Sequence, residues 1–248
     1  MIFGLFKKGS TRKKPERKDV KEVRIKPDEC KCPYCLVSIK PAPKRKKMCS
    51  NCEELIYPRK HYKTKQYIYL KEIDLKKYEK EKNDYYKAKA LLRSIVGQLG
   101  LNKSKVDNLI ENREKELTKK FGKKASYGDA VWSYANELVA KKGSGNYADT
   151  LQFSMALYLQ QIGKKSDHIR TNIHLNDLKR YKKSNVVKRV EIITAKELSR
   201  DNCRKLEGTK ITVEDAIKNS PLPCKDCTHN AEEGGEGWCR CVYTPLLD

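Results

Sequence analysis

The spacing of apolar residues predicts a helical segment in the middle of the chain. From about 75 to 185, apolar residues recur at the three- and four-residue intervals of a helix, in five stretches. The first four stretches end near Gly100, Gly122, Gly143 and Gly163. Glycine is the residue that most often follows the last turn of a helix. This pattern predicts an antiparallel core of helices.

The aromatic residues of this segment are predicted to belong to its core. They are too regularly placed among the apolar positions to indicate a base-stacking platform, which is the alternative interpretation. The residues concerned are Trp132, Tyr134, Phe153 and Tyr158.

Strands are predicted on both sides of the helices. Residues 56–58 and 66–70 are rich in Ile and Tyr, and residues 186–194 read as a further strand. Residues 7–29 are basic and almost free of apolar side chains, which is typical of a disordered arm. The predicted fold class is therefore α+β, mostly α. Its predicted parts are the arm (1–29), a β-rich module with five cysteines (30–70), the helical core (71–185) and a strand with a cysteine-rich module (186–248).

The charge of the chain changes which partners are expected. The chain has 55 Lys and Arg against 32 Asp and Glu, a net charge of +23. Residues 1–62 carry +11, residues 63–185 carry +13, and residues 186–248 carry −1. A positive field of this size attracts polyanions such as nucleic acid. The alternative is an ordinary Lys-rich, solvated surface.

Four cysteines near the N-terminus form the clearest motif. Cys32 and Cys35 form one C-x-x-C pair, and Cys49 and Cys52 form a second pair. Two such pairs can place four thiolates around a tetrahedral Zn²⁺, leaving no open position, so the predicted ion is structural. A disulfide pair and an iron site are the alternatives. Cys30 is left over as a spare thiol.

This segment resembles the zinc-ribbon family. The resemblance covers residues 32–60 and rests on the CPYC and CSNC pairs and on the strand at 54–57. It implies a zinc-ribbon fold for the module at 30–70. Zinc ribbons bind DNA, RNA or protein, so the resemblance indicates a fold more than a partner.

A second group of cysteines near the C-terminus is less regular. A single zinc is predicted to take Cys203, one or both of Cys224 and Cys227, and one or both of Cys239 and Cys241. His229 lies between the two later pairs and is a further candidate. The alternative is a set of small buried cysteines without metal.

The C-terminal pattern also resembles part of the phage head-morphogenesis (minor head) proteins. The resemblance covers about 200–243 and rests on Cys203 with the following Leu and Gly, and on the ending Cys239-Arg-Cys241. Two positions depart from that family's pattern. Arg200 stands where a first cysteine is expected, and Cys224 stands near an expected histidine.

The sequence contains no recognisable active site. It has no H-E-x-x-H pair, no phosphate-binding G-x-x-x-x-G-K-[ST] loop and no nucleophile elbow. The protein is therefore predicted to be non-enzymatic. A metal-dependent nuclease is the alternative, and it would need carboxylates such as Asp201, Glu207, Glu214 and Asp215 to assemble.

Together these features predict a two-zinc protein that binds nucleic acid through phosphate contacts. No window reaches the roughly 20 apolar residues of a membrane span, and the first residues lack the order of a signal peptide, which predicts a cytoplasmic protein. The main alternative is an assembly protein of phage or mobile-element origin whose zinc modules dock other proteins. Besides the arm, the predicted nucleic-acid contacts are Lys44, Arg45, Lys46, Lys47, Lys179, Arg180, Lys182 and Lys183.

Overall fold

The computed structural model describes residues 29–143, 145–195, 201–225, 227 and 239–247. The predicted arm lies outside the described residues except for its last residue. The chain divides into two compact units, the first ending at Leu75 and the second beginning at Lys76. The finer four-part division stays a prediction from the sequence.

The first unit consists of short antiparallel strands. β1 (Cys30–Lys31) pairs with β2 (Ser38–Ile39), while β3 (Lys47–Met48), β4 (Leu55–Lys60) and β5 (Tyr67–Leu70) form a second sheet in that order. The predicted strands at 56–58 and 66–70 are therefore confirmed. The buried core of this unit is very small and consists of Cys32, Cys49 and Ile56.

Three turns of the first unit share one hydrogen-bond pattern. In each, the first residue donates its N–H to the carbonyl five positions later, and its own carbonyl accepts from the N–H four positions later. These bonds are 2.7–3.0 Å long in all three turns. The residue four positions along has a positive φ of 61–63° each time. The turns begin at Cys32, Cys49 and His61 and connect β1 to β2, β3 to β4 and β4 to β5.

The second unit is built around the five helices that the periodicity predicts, the first of which begins four residues before the unit does. Four of them are followed by glycines with a positive φ, at positions 100, 122, 143 and 163. The third helix begins with a capping box in which Ser126 and Asp129 bind each other's backbone N–H groups. Neighbouring helices in the chain pack together from the second to the fifth. The helices are α1 (Glu72–Leu99), α2 (Lys103–Phe121), α3 (Tyr127–Lys142), α4 (Asn146–Gln161) and α5 (Asp167–Ser184).

One of the aromatic residues assigned to the helical core lies at the surface instead. Tyr134 and Tyr158 are buried, and Trp132 packs partly against the core. Phe153 is 44% exposed, which corrects the prediction. It lies two residues beyond the buried Leu151, and two residues turn a helix by about 200°, so it faces away from the core.

A small sheet completes the second unit. β6 (Val187–Ile193) lies between β7 (Lys210–Thr212) and β8 (Val242–Leu247), and all pairs are antiparallel. The short helices α6 (Asp201–Arg204) and α7 (Val213–Asn219) belong to the same region. α5 joins the two cores of the unit, since Ile169 is buried among the helices and Leu178 is buried with the sheet. None of the helices in the described ranges combines the length and apolar content needed to cross a bilayer.

Candidate metal centres and basic surfaces

The first two turns bring four sulfur atoms into one cluster. The Sγ atoms of Cys32, Cys35, Cys49 and Cys52 all lie within 4.8 Å of one another. Cys32 Sγ is 3.8 Å from Cys52 Sγ, and Cys35 Sγ is 3.7 Å from Cys49 Sγ. Four sulfurs about 2.3 Å from a tetrahedral zinc lie about 3.8 Å apart, so these distances fit such an ion.

Hydrogen bonds lower the pKa of Cys35 and Cys49, which favours the thiolate form that a metal requires, whereas burial and the neighbouring cysteine sulfurs raise the pKa of Cys52. The backbone N–H of Tyr34 donates to Cys32 Sγ at 3.4 Å. The pKa of Cys35 is lowered to about 6, chiefly by the N–H of Val37 and then by the Asn51 side chain. The N–H groups of Asn51 and Cys52 likewise lower the pKa of Cys49. The four sulfurs can fill a tetrahedral coordination shell, which suits a structural ion rather than a catalytic one.

Cys30 stands apart from this cluster, as the sequence predicts. It is buried in β1 but is not among the four grouped cysteines. Burial raises the pKa of its thiol, and its side chain interacts with Tyr69. None of the ten cysteines is in a disulfide, and all ten lie in the described ranges.

A second cluster of sulfurs forms in the C-terminal region. The Sγ atoms of Cys203, Cys239 and Cys241 lie within 4.8 Å of one another, and all three residues are buried. Cys227 Sγ lies 3.5 Å from Cys203 Sγ. Cys224 takes a different position: its backbone N–H donates to Cys239 Sγ at 3.2 Å, and its own Sγ lies 3.5 Å from the carbonyl of Lys225. His229 lies outside the described residues.

Several elements position this second cluster. Cys203 lies in the single turn of α6, whereas Cys241 directly precedes β8. β8 is fixed by its pairing with β6, in which Val242 lies opposite Ile193. The sulfurs are buried together with apolar side chains of the sheet, including Val190. The cysteines therefore replace part of a hydrophobic core, and an ion bound there would connect α6 to the C-terminal strand.

A buried arginine accompanies the second cluster. Arg170 lies on α5 and is only 6% exposed. Burial lowers its pKa, while Cys239, Asp167 and Cys227 act in the opposite direction, which places the guanidinium in the field of the sulfurs. Zn²⁺ with four thiolates carries a net charge of −2, and a nearby cation offsets that charge. Sequence reasoning missed Arg170; its four-residue spacing from the buried His174 and Leu178 is the signal that could have indicated it.

His174 fills the space next to Arg170. Its ring lies edge-on to Tyr243 of β8, with the ring centroids 5.6 Å apart. Burial, and then the charge of Arg170, lower its pKa to about 4. The imidazole is therefore neutral at pH 7 and acts as a packing residue between α5 and the C-terminal strand.

The first basic surface lies on the loop between β2 and β3 and on the first residue of β3. We call residues Lys44–Lys47 the basic loop; all four side chains are exposed. Lys46 Nζ lies 5.0 Å from the centre of the Tyr57 ring. Pro43 is buried just before the loop, and Cys49 of the first metal centre follows it closely. The structure therefore anchors the loop on both sides.

The second basic surface is the C-terminal part of α5, and its residues differ from one another. Lys179, Lys182 and Lys183 are exposed, with Lys182 Nζ 3.6 Å from a carboxylate oxygen of Glu214. Arg180 instead donates hydrogen bonds from both terminal nitrogens to carboxylates, from one nitrogen to Asp149 of α4 and from the other to Asp177. Asp149 is buried and also accepts from Asn176 Nδ2 at 2.9 Å. Arg180 therefore connects α4 to α5.

This contact predicts a structural cost when Arg180 is replaced. Arg180→Gln is expected to lower the free energy of unfolding by about 2–3 kcal/mol, because it leaves the buried Asp149 carboxylate without its cation. Lys183→Gln on the same helix is expected to change it by less than about 0.5 kcal/mol. Urea denaturation followed by circular dichroism measures both. Equal effects of the two substitutions would contradict the assigned role.

The four C-terminal carboxylates considered for a nuclease do not form a group. Glu207 accepts from the N–H of Thr194 at 2.7 Å, and Asp215 accepts from the Thr212 hydroxyl at the start of α7. Glu214 and Asp201 have contacts with Lys182 and Arg204. Within the described ranges, the groups of three or more potential metal ligands are the two cysteine clusters.

Comparisons with protein-family models, with curated proteins and with solved structures found no match to this chain. The resemblances to zinc ribbons and to phage head-morphogenesis proteins therefore depend on the residues quoted above. The geometry adds that both cysteine groups can hold a metal ion.

Proposed function

We propose that this protein is a non-enzymatic nucleic-acid-binding protein whose two cysteine clusters hold structural zinc ions. The observation that carries the proposal is the basic loop, in which four consecutive exposed cations lie close to the first metal centre. Anchoring at Pro43 and Cys49 holds these cations at a fixed place, so a phosphate backbone can bind them with little loss of conformational entropy.

The charge of the first unit supports this proposal. Residues 29–71 contain eleven Lys or Arg and three acidic residues, a net charge of +8. A zinc ion with four thiolates contributes −2, so about +6 remains after metal binding. Lysines bind phosphates as point charges and do not read base edges in the bidentate way of arginine. Binding is therefore expected to depend little on base sequence and steeply on salt.

Replacing the basic loop tests this proposal. The quadruple variant with Gln at Lys44, Arg45, Lys46 and Lys47 is expected to bind duplex DNA more weakly. The slope of log K against log salt is expected to fall in magnitude by up to about 0.9 per lost phosphate contact, or about 3.6 for four contacts. Fluorescence anisotropy over a range of salt concentrations measures both quantities.

A charge-matched control separates local contact from long-range attraction. Four exposed lysines at the end of α2 and just after it can be replaced by Gln with the same change in net charge. The basic-loop variant is expected to lose much more affinity than this control. Equal losses would mean that diffuse charge, and not the loop, carries the binding. The control positions are Lys115, Lys119, Lys123 and Lys124.

The second candidate function is assembly, with the C-terminal module as a protein-docking element of phage or mobile-element origin. Cys203 and the Cys239-Arg-Cys241 ending carry the resemblance to head-morphogenesis proteins, and they lie in one cluster. An assembly function is expected to be indifferent to the basic-loop variant, since that loop lies in the first unit. The same variant therefore distinguishes the two functions.

A cytoplasmic location is part of the proposal. None of the ten cysteines is in a disulfide, and eight of them have their sulfur atoms in or next to the two clusters that are suited to metal. Such thiols persist in a reducing compartment, whereas an oxidising one favours disulfides.

A further inference from the structure

The hairpin formed by β4 and β5 has a composition that its fold does not require. From 55 to 71 the chain contains no Asp or Glu. Four cations, Arg59, Lys60, Lys63 and Lys65, lie within seven residues at its tip. The rings of His61 and Tyr62 lie among them, and Tyr67 follows two residues after the last cation. A hairpin tip that is only solvated carries mixed charges and few rings. This composition therefore indicates a binding surface for an anionic partner that has flat, apolar faces.

Two tyrosines of this sheet, Tyr57 and Tyr69, have structural roles within the first unit, whereas Tyr67 does not share them. Tyr57 is buried and its hydroxyl donates to Glu72 at 3.0 Å. Tyr69 packs against the small core around the first metal centre. Tyr67 lies two positions before Tyr69 in the same strand and is 40% exposed. Alternate residues of a strand share a face, so Tyr67 extends the face of Tyr69 beyond the core.

The rings at the tip are held in place. His61 and Tyr62 stack, with their centroids 4.7 Å apart and their planes 20° from parallel. The N–H of Thr64 donates to His61 Nδ1 at 3.3 Å, and Lys65 Nζ donates to the carbonyl of Tyr62 at 2.8 Å. These contacts order the turn, so a base that stacks on it meets rings whose orientation is already fixed.

A second ring and cation pair lies directly behind the tip. Lys60 and Tyr67 are opposite each other in the β4–β5 ladder. Lys60 Nζ lies 5.8 Å from the centre of the Tyr67 ring, within the range of a cation–π contact. The hairpin thus combines aromatic rings with positive charge, the two features with which proteins bind the bases and the backbone of a single strand.

We propose that the β4–β5 hairpin is a stacking platform for single-stranded nucleic acid. This inference rests on the proposed nucleic-acid function and adds the kind of strand that is preferred. Bases of a single strand expose their faces and can stack on Tyr62 and Tyr67, whereas bases of a duplex are already stacked on each other. The basic loop binds phosphates of either form, so the hairpin supplies the preference for single strands.

Removing the rings while keeping the charges tests the platform. The double variant Tyr62→Ala and Tyr67→Ala is expected to weaken binding of labelled oligothymidylate at least about tenfold, and of a duplex of equal length less than about twofold. The double variant with Phe at both positions keeps the rings and is expected to stay within about twofold of the unchanged protein on both probes. Fluorescence anisotropy of the full chain with zinc bound provides the measurement.

The controls separate failure of the platform from failure of the proposed function. A double variant with Leu at both positions keeps apolar side chains but removes the rings, and zinc content reports whether the first unit is folded. If the unchanged protein binds neither probe, the nucleic-acid function itself is wrong. Suppose that the unchanged protein binds both probes. If the Ala variant then keeps its full affinity for oligothymidylate, or loses as much affinity for the duplex as for oligothymidylate, the platform is wrong and the proposed function stands. The platform would also be overturned if the protein bound polyglutamate as tightly as oligothymidylate and the Ala substitutions did not change the affinity for polyglutamate.

Discussion

Replacing Cys49 with Ser is expected to unfold the first unit completely while leaving the helices of the second unit intact. The buried core of the first unit consists of Cys32, Cys49 and Ile56, so two of its three members are candidate metal ligands. Structural zinc contributes roughly 10–16 kcal/mol to the folding of small zinc domains, whereas a core of this size contributes only a few kcal/mol. The expected result is loss of one zinc ion per chain and collapse of the amide NMR dispersion of residues 30–71. Far-UV circular dichroism is expected to change little, because helices α2 to α5 lie in the second unit.

The matched control for this variant is Cys30→Ser. Cys30 is also a buried cysteine of the first unit, but it is not part of the sulfur cluster. It is expected to keep its full zinc content and a dispersed spectrum. A Cys49→Ser protein that retains both would show that the four sulfurs do not hold the ion on which the fold depends.

Loss of the second metal centre is expected to destabilise the second unit by on the order of 5 kcal/mol or more. Cys239→Ser removes a buried sulfur between α6 and β8 and leaves the buried Arg170 beside a cluster that has lost negative charge. The expected result is a protein with one zinc ion instead of two and a markedly lower melting temperature. Elemental analysis and calorimetry measure these two quantities.

The fourth ligand of this centre can be identified with a pair of variants. Cys227→Ser is expected to release the second ion, since its sulfur lies 3.5 Å from that of Cys203. Cys224→Ser is expected to retain it, because Cys224 approaches the cluster through its backbone N–H. In the cobalt-substituted protein, the sulfur-to-metal charge-transfer band at this site is expected to disappear in the first variant and to persist in the second. The opposite outcome would exchange the roles of the two residues.

The sequence predicts the features that local spacing determines. The five helices follow from apolar periodicity, and the glycines at 100, 122, 143 and 163 take the positive φ that a helix end requires. The first cysteine cluster is predictable for the same reason. Each C-x-x-C pair forms within one turn, so only the meeting of two turns has to be inferred.

The features that depend on packing between distant segments were not predictable. The position of Cys241 is fixed by the pairing of β8 with β6, about fifty residues earlier in the chain. Because sequence spacing does not give this pairing, it could not indicate which of Cys224 and Cys227 has its sulfur next to the cluster. Arg180 reads as a surface cation until its contact with Asp149 of α4 is seen. Phe153 fits a helical apolar pattern, but the buried residues of α4 lie on the opposite face of that helix.

The turn that begins at His61 indicates how an ion at the four cysteines would stabilise the first unit. It has the same hydrogen bonds and the same positive φ as the turns at Cys32 and Cys49, although His61 and Thr64 stand where those turns have cysteines. The backbone geometry of each cysteine turn therefore does not require a metal ligand. An ion held by the four sulfurs would act instead as a cross-link between these two turns. Because it binds the folded chain and not the unfolded one, its binding free energy would add directly to the stability of the unit.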